Sequence, residues 1–260
     1  IQGGEVTGSI DEKVRHAITK LADIHLVSNP QAAEYVTRMG EKEGSVFVTG
    51  CPSIDIAQEI LTDTRLDFCP FERYGGVGAP VDLDPGYLVV LQHPVTTEHQ
   101  EARAHVQETL RAVVETGMPT LWFWPNVDAG SDGTSKGIRA FRETESPDNL
   151  HFFKNMSPRD FLLLIYNCSC LVVNSSVGIR ESSFLGIPTV NIGSRQDGRQ
   201  RGSNTVDAGY SHLEIGQAIE KQVAHGRYEA VNIYGDGQSG QSIADVLVSA
   251  TLETKKRLAY

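Results

Sequence analysis

Cys170-Leu171-Val172-Val173-Asn174-Ser175-Ser176-Val177-Gly178-Ile179-Arg180-Glu181 decides how this chain reads. An apolar run stops at an asparagine and passes through two serines. Apolar residues then resume at helical spacing and predict a helix over 177–185. Outward from this stretch the same unit repeats. Apolar runs at 87–91, 120–124, 151–153, 170–174 and 189–192 predict strands. Helices are predicted near 98–115, over 136–144 and 158–167, near 212–224, and from about Gly240. Short apolar strands alternating with helices imply a parallel sheet covered on both faces, because parallel strands need crossovers and these are usually helices. Such a unit is Rossmann-like and of the α/β class.

Toward the N-terminus, Val14, Ala17, Ile18 and Leu21 recur at helical spacing behind the acidic pair Asp11 and Glu12. Apolar runs at 24–27 and 46–49 flank a helical stretch near 31–39, which reads as the tail of another α/β unit. Between the two regions, 62–86 holds Pro70, Gly75, Gly76, Gly78, Pro80 and Pro85 and is expected to be an irregular connection. The expected organisation is residues 1–70 as the C-terminal part of a first Rossmann-like domain and 71–260 as a second, whose last helix packs back on the first. Gly3-Gly4 precedes any apolar segment and reads as a loop leaving a strand, so the first domain is expected to be incomplete in this chain.

The 260 residues include 33 acidic and 23 basic side chains, a formal charge of −10 that argues against a nucleic-acid surface built on phosphate neutralisation. At 40 % hydrophobic and 22 % charged residues the composition is that of a globular chain able to bury a full core. No apolar run approaches the roughly 18 residues that a bilayer span needs. The opening Ile1-Gln2-Gly3-Gly4-Glu5 lacks a basic-then-apolar leader pattern, so no membrane association and a cytoplasmic location are expected. Cys51, Cys69, Cys168 and Cys170 have no CxxC spacing, and Cys168-Ser169-Cys170 borders an apolar run. Buried thiols are therefore expected rather than a metal site.

In parallel sheets of this kind ligands sit beyond the carboxyl ends of the strands. The residues to weigh are His93, Asn126 and Asp128, Lys154 to Ser157, Asn174 to Ser176, and Ser194 with Arg195. Ser175, Ser176 and the backbone at Gly178 offer hydroxyls, N–H groups and a positive helix end to a phosphate, or simply a serine N-cap. Glu181 suits ribose hydroxyls or complements a helix dipole. Arg195 neutralises a phosphate or is a solvated surface charge. His93 faces a phosphate or a substrate proton, or caps a strand end. Asn126 and Asp128 contact a sugar or base, or make Asx turns. Glu5, Asp11 and Glu12 surround a Gly-rich turn and a helix start. Carboxylates with pKa values pushed apart serve as general base and acid, while Asp11 and Glu12 alone are also ordinary helix-start acids.

Several segments, in family order, resemble the UDP-N-acetylglucosamine 2-epimerase family. They are Gly3-Gly4-Glu5-Val6-Thr7-Gly8-Ser9-Ile10-Asp11-Glu12, Arg15-His16-Ala17-Ile18-Thr19-Lys20-Leu21, Gly50-Cys51-Pro52-Ser53, Leu91-Gln92-His93-Pro94-Val95-Thr96, Pro125-Asn126-Val127-Asp128-Ala129-Gly130-Ser131, the 174–181 stretch and Tyr234-Gly235-Asp236-Gly237. The Gln92-His93-Pro94-Val95-Thr96 and 174–181 forms resemble its hydrolysing branch, which supplies N-acetylmannosamine for sialic-acid synthesis. The resemblance implies a GT-B architecture, with two Rossmann-like domains, parallel sheets and an active site in the cleft between them. It also implies a homo-oligomer at full length, and a further N-terminal segment with a catalytic Gly-Asp-Arg loop that is not found in this chain.

The implied reaction is loss of UDP across carbons 1 and 2 of the sugar to a 2-acetamidoglucal, then addition of water with inversion at carbon 2, without redox cofactor or metal. By motif correspondence Glu5, Asp11 and Glu12 are the acid/base carboxylates, and His93 holds the diphosphate or assists its departure. Ser175, Ser176 and the Gly178 backbone cradle phosphate, Glu181 holds the ribose and Arg195 adds charge. Asn126 meets the substrate, and the backbone near Met156 reads uracil. Three other readings remain at this point. One is a hydrolysing epimerase of a UDP-2,4-diacetamido sugar on a legionaminic-type route, another a glycosyltransferase of the same architecture, and the last an inactive UDP-sugar-binding fragment.

Overall fold

The computed structural model describes residues 1–5, 10–251 and 255–259, so Val6, Thr7, Gly8 and Ser9 of the first motif lie outside the described residues. Helix α1 (Ile10–Leu21), strand β1 (His25–Val27), helix α2 (Pro30–Arg38) and strand β2 (Val46–Val48) come first. β1 and β2 pair in parallel, and Val27, Ala32 and Val36 form a small core beneath them. α2 begins where sequence chemistry demands it: the Asn29 side chain accepts from the Ala32 N–H and Pro30 opens the first turn.

Helices α3 (Pro52–Ile60) and α4 (Pro70–Tyr74) lead into the larger unit. It comprises β3 (Leu88–Leu91), α5 (Ala102–Glu115), β4 (Thr120–Phe123), α6 (Ser131–Glu145), β5 (Leu150–Phe153), α7 (Pro158–Tyr166), β6 (Cys170–Val173), α8 (Glu181–Leu185), β7 (Thr189–Ile192), β8 (Thr205–Ala208), α9 (His212–His225) and α10 (Ser239–Ser249). All the strands from β3 to β8 are parallel, in the spatial order β5-β4-β3-β6-β7-β8. Chain direction reverses its lateral course between β3 and β6, the switch point at which such sheets open a crevice for ligands.

Alternation along each strand divides the core into two layers. Leu88, Val90, Trp122, Phe152 and Val172 pack with Leu110, Ile138 and Ile219 of α5, α6 and α9. Val89, Leu121, Phe123, Leu171 and Val173 pack with Leu163 of α7, Leu185 of α8 and Ile54, Ala57 and Ile60 of α3. α3 precedes residue 70 in sequence, and its buried face packs in the larger core. α10 lies against α3, and Asp55 of α3 accepts from the Ser239 and Gly240 N–H groups at 2.8 and 2.7 Å. The segment beyond α10 returns to the first unit: the Ala259 N–H donates to the Gly40 carbonyl, and Lys256 Nζ lies 2.7 Å from Glu41.

Some local elements differ from those expected. The predicted helix over 177–185 is instead a 3₁₀ turn at Ser176–Gly178 followed by the short α8. The turn is tight because Ser175 Oγ accepts from the Val177 N–H and because a Cβ on Gly178 would lie 2.1 Å from Val173 Cγ2. The 62–86 connection is not wholly irregular. It contains α4, and Val77 bridges Phe152 at the edge of β5. The helix expected near 98 starts at Ala102, after a 3₁₀ turn at Thr96–Glu98. Cys51, Cys168 and Cys170 are buried free thiols, as expected, but Cys69 is exposed because it caps α4 at the surface. Among the described residues no helix is long and apolar enough to cross a membrane, and no three His, Cys, Asp or Glu side chains converge on one point.

Candidate active site

At the switch point Asn174 follows β6 and grips the residue that follows β3. Its Oδ1 accepts from the His93 N–H at 2.7 Å, and its Nδ2 donates to the His93 carbonyl at 2.7 Å. The imidazole is held as well. The Asn126 N–H donates to His93 Nδ1 at 3.1 Å, so the neutral ring carries its proton on Nε2. Burial and the nearby Arg195 charge pull the His93 pKa down to about 4, against a smaller opposing effect of Asp128. At neutral pH His93 is therefore an uncharged donor.

Arg195, after β7, donates to the Asn174 carbonyl at 3.2 Å and lies 3.7 Å from Asp128 Oδ2. Asp128 in turn accepts from Asn126 Nδ2 at 2.5 Å. Burial lowers the Arg195 pKa, and the charges of Asp128 and Asp11 oppose that fall, which brings Asp11 of the first unit within electrostatic reach of this cluster. His93, Asn126 and Arg195, expected from separate strand ends, are thus brought together.

Ser175, Ser176, Gly178 and Glu181 follow Asn174 along the chain. The Val177 N–H is taken by Ser175 Oγ and the Gly178 N–H by the Ser175 carbonyl. Gly178 packs against Val173 with its amide engaged in the turn. Ser176 Oγ accepts from Arg180 at 2.8 Å. Glu181 is 8 % exposed, and its Oε2 lies 3.9 Å from Arg180 Nε without a hydrogen bond among the described residues. A buried carboxylate oxygen with spare accepting capacity suits a ligand hydroxyl. Met156, after β5, is buried. Its N–H is accepted by the Asn155 side chain, so only its carbonyl edge is available to a base.

Glu5 is held by arginine and glutamine side chains. Its Oε2 accepts from Arg199 at 2.8 Å, its Oε1 accepts from Gln2 at 2.9 Å, and Arg180 lies 3.8 Å away. Burial alone would raise its pKa, but Arg199, Arg180, a Ser28 hydroxyl and Arg15 outweigh burial and the net shift is downward. Glu5 is thus an ionised carboxylate that bridges the two units through Arg199. Glu12 pairs with His16 at 3.3 Å on the first turns of α1, and Asp11 is exposed.

Arg180 and Arg199 were not among the expected site residues. Each sits in a quoted or adjacent polar stretch, but a buried arginine is recognisable only once its carboxylate, far away in sequence, is known. Asn174 is among the strand-end residues that the sequence singles out, but its two-sided grip on His93 is visible only in space.

Residues 1–248 match the family model described as UDP-N-acetylglucosamine 2-epimerase. The chain is 29 % identical over 242 residues to the UDP-N-acetylglucosamine 2-epimerase of Neisseria meningitidis serogroup B, covering 93 % of this chain and 61 % of that protein. It is 29 % identical over 255 residues to the UDP-N,N'-diacetylbacillosamine 2-epimerase (hydrolyzing) of Legionella pneumophila, covering 98 % of this chain and 65 % of that protein. The chain thus spans less than two thirds of the length of these relatives. A solved UDP-GlcNAc 2-epimerase from Neisseria meningitidis bound to UDP-GlcNAc superposes with a TM-score of 0.77 at 15 % identity, covering 96 % of this chain and 69 % of that one. The fold is accordingly an α/β GT-B type with parallel sheets. With a family match across nearly its whole length, the chain belongs to the UDP-N-acetylglucosamine 2-epimerase family.

Proposed function

We propose that this protein is the nucleotide-handling part of a hydrolysing 2-epimerase acting on UDP-N-acetylglucosamine, which releases UDP and N-acetylmannosamine for sialic-acid synthesis. The observation that carries this reading is the neutral His93, gripped by Asn174 with its Nε2 proton unspent, next to the Arg195 guanidinium at the switch point. Loss of UDP places developing charge on the departing diphosphate. An N–H donor and a guanidinium held in advance stabilise that charge without reorganising. A carboxylate removes the proton from carbon 2 as the bond from carbon 1 to the diphosphate oxygen breaks, leaving the carbon 1–carbon 2 double bond. Water then adds its hydroxyl to carbon 1 and a proton returns to the opposite face of carbon 2. Glu5, Asp11 and Glu12 carry these proton transfers in our reading, with Glu5 held in place by Arg199 and Arg180. Ser175 and Ser176 meet phosphate, Glu181 the ribose, and the Met156 carbonyl the uracil.

Incubating the chain with UDP-N-acetylglucosamine and following both products by chromatography tests the proposal. UDP and N-acetylmannosamine in equal amounts support it, and UDP appearing without the free sugar overturns it. The named activity of the Legionella relative favours one second reading, a UDP-diacetamido sugar as substrate. Faster UDP release from that sugar than from UDP-N-acetylglucosamine would select it. Ser176→Ala is expected to weaken UDP binding about tenfold, and unchanged affinity would remove Ser176 from the phosphate site.

A further inference from the structure

We propose that Glu98 is a positioning residue that sets Arg195 beside His93 by clamping the loop after β7 to the turn after β3. This rests on the reading that the site takes a nucleoside diphosphate. Glu98 ends the 3₁₀ turn Thr96–Glu98, just downstream of His93. Its Oε1 accepts from the hydroxyl of Ser194, the residue immediately before Arg195. Its Oε2 accepts from Tyr210 Oη at 2.8 Å, and Tyr210 follows β8. Loops from three strand ends therefore converge on one carboxylate.

The surroundings are built for this convergence. Gly193 has φ +64°, and a Cβ there would lie 2.2 Å from Tyr210 Oη, so the loop closes over the phenol only with glycine at that position. His105 of α5 stacks on the Tyr210 ring, with centroids 3.5 Å apart and planes within 3°, and its Nδ1 lies 3.9 Å from Glu98. Burial and Glu98 raise the Tyr210 pKa, which keeps the phenol a proton donor at neutral pH. Two hydroxyls donating to one ionised carboxylate are charge-assisted bonds, stronger than neutral ones.

The clamp matters because of where Arg195 points. A long flexible side chain gains by carrying its charge out to water. Arg195 instead lies partly buried, donating to the Asn174 carbonyl. Fixing its backbone at Ser194 leaves the guanidinium oriented before a ligand arrives, and orientation set in advance is what a charge-stabilising site requires.

Titration calorimetry of the full chain with UDP and with uridine, for the parent, Glu98→Ala and Glu98→Gln, tests this. Arg195 addresses the diphosphate and not the nucleoside. Glu98→Ala is therefore expected to weaken UDP about tenfold while uridine changes less than about twofold. Glu98→Gln, which still accepts from one hydroxyl, is expected to recover most of the loss. Equal weakening of both ligands, or of neither, overturns the proposal. Should Glu98→Ala fail to fold, Ser194→Ala and Tyr210→Phe each remove one bond and are expected to shift the UDP-to-uridine ratio about threefold in the same direction. Hydrogen exchange of residues 193–197 needs no ligand. Faster exchange in Glu98→Ala or, failing that, in Ser194→Ala supports the clamp even if the parent binds no UDP, a result that would defeat the functional reading alone; unchanged exchange overturns the clamp.

Discussion

Replacing Asn174 with alanine disrupts the site at a single point with a calculable cost. The side chain is 1 % exposed and makes both of its bonds, at 2.7 Å each, to the backbone of His93. Alanine strips the partners from that N–H and that carbonyl at the end of a buried strand. Each orphaned group costs about 1–2 kcal/mol, together roughly 2–4 kcal/mol. For a protein of this size the corresponding fall in Tm is roughly 5–12 °C. Asn174→Asp keeps the acceptor and loses the donor, so it should lose about half as much or more, since a second acceptor then faces the carbonyl. Function should suffer in parallel. The imidazole relies on a fixed backbone to aim Nε2, and a loosened His93 is expected to raise the UDP Kd at least about tenfold, equivalent to about 1.4 kcal/mol. Scanning calorimetry reads the first quantity and titration calorimetry the second. An alanine variant melting within about 1 °C of the parent and binding UDP equally well would refute the reasoning.

Gly178→Ala places a methyl group 2.1 Å from Val173 Cγ2 and should cost about 1–3 kcal/mol, read as a lower urea midpoint; an unchanged midpoint would show that the turn has room to spare. The His93 pKa of about 4 lies below its ordinary 6.5, so the unfolded state binds the extra proton. Its contribution is complete above pH 6.5 and is lost as pH falls toward 4. In His93→Gln the decline of Tm across that window should be shallower than in the parent, and parallel curves would contradict a buried neutral imidazole. Asp55→Ala uncaps α10 at Ser239 and Gly240 and should cost about 1–2 kcal/mol. Accelerated hydrogen exchange over 239–242 is the readout, and unchanged protection would mean that the cap is idle.

Parallel strands buried on both faces are continuous apolar runs, and for that reason 87–91, 120–124 and 170–174 were legible to within a residue of β3, β4 and β6. β8 was not anticipated. Thr205-Val206-Asp207-Ala208 lies at the sheet edge, half exposed and half polar, and carries no such run. The turn at 176–178 was hidden because Val177 and Ile179 suit a helix locally, while the cause of the break is the contact of Gly178 with Val173. The site was partly legible for the same reason as the strands. His93, Asn126, Ser175 and Arg195 each follow a strand, and position alone nominates them. The Glu5–Arg199 pair spans 194 positions, and nothing local to either residue announces the other. Glu98 and Asn174 act through backbone and loop positions that only the folded chain defines.

Unequal exposure of the thiols yields a practical handle. Cys168 is buried with its pKa pushed up to about 12, burial raises Cys170 well above the ordinary thiol value, and Cys51 is 3 % exposed, whereas Cys69 faces solvent. A maleimide dye at neutral pH should therefore attach with a stoichiometry of one to the native protein, without any engineered cysteine. The attachment point sits at the head of α4, whose Tyr74 hydroxyl accepts from the Ser157 N–H next to Met156. A fluorophore at Cys69 is thus one short helix away from the proposed base-reading edge, and nucleotide arrival there is expected to change its brightness.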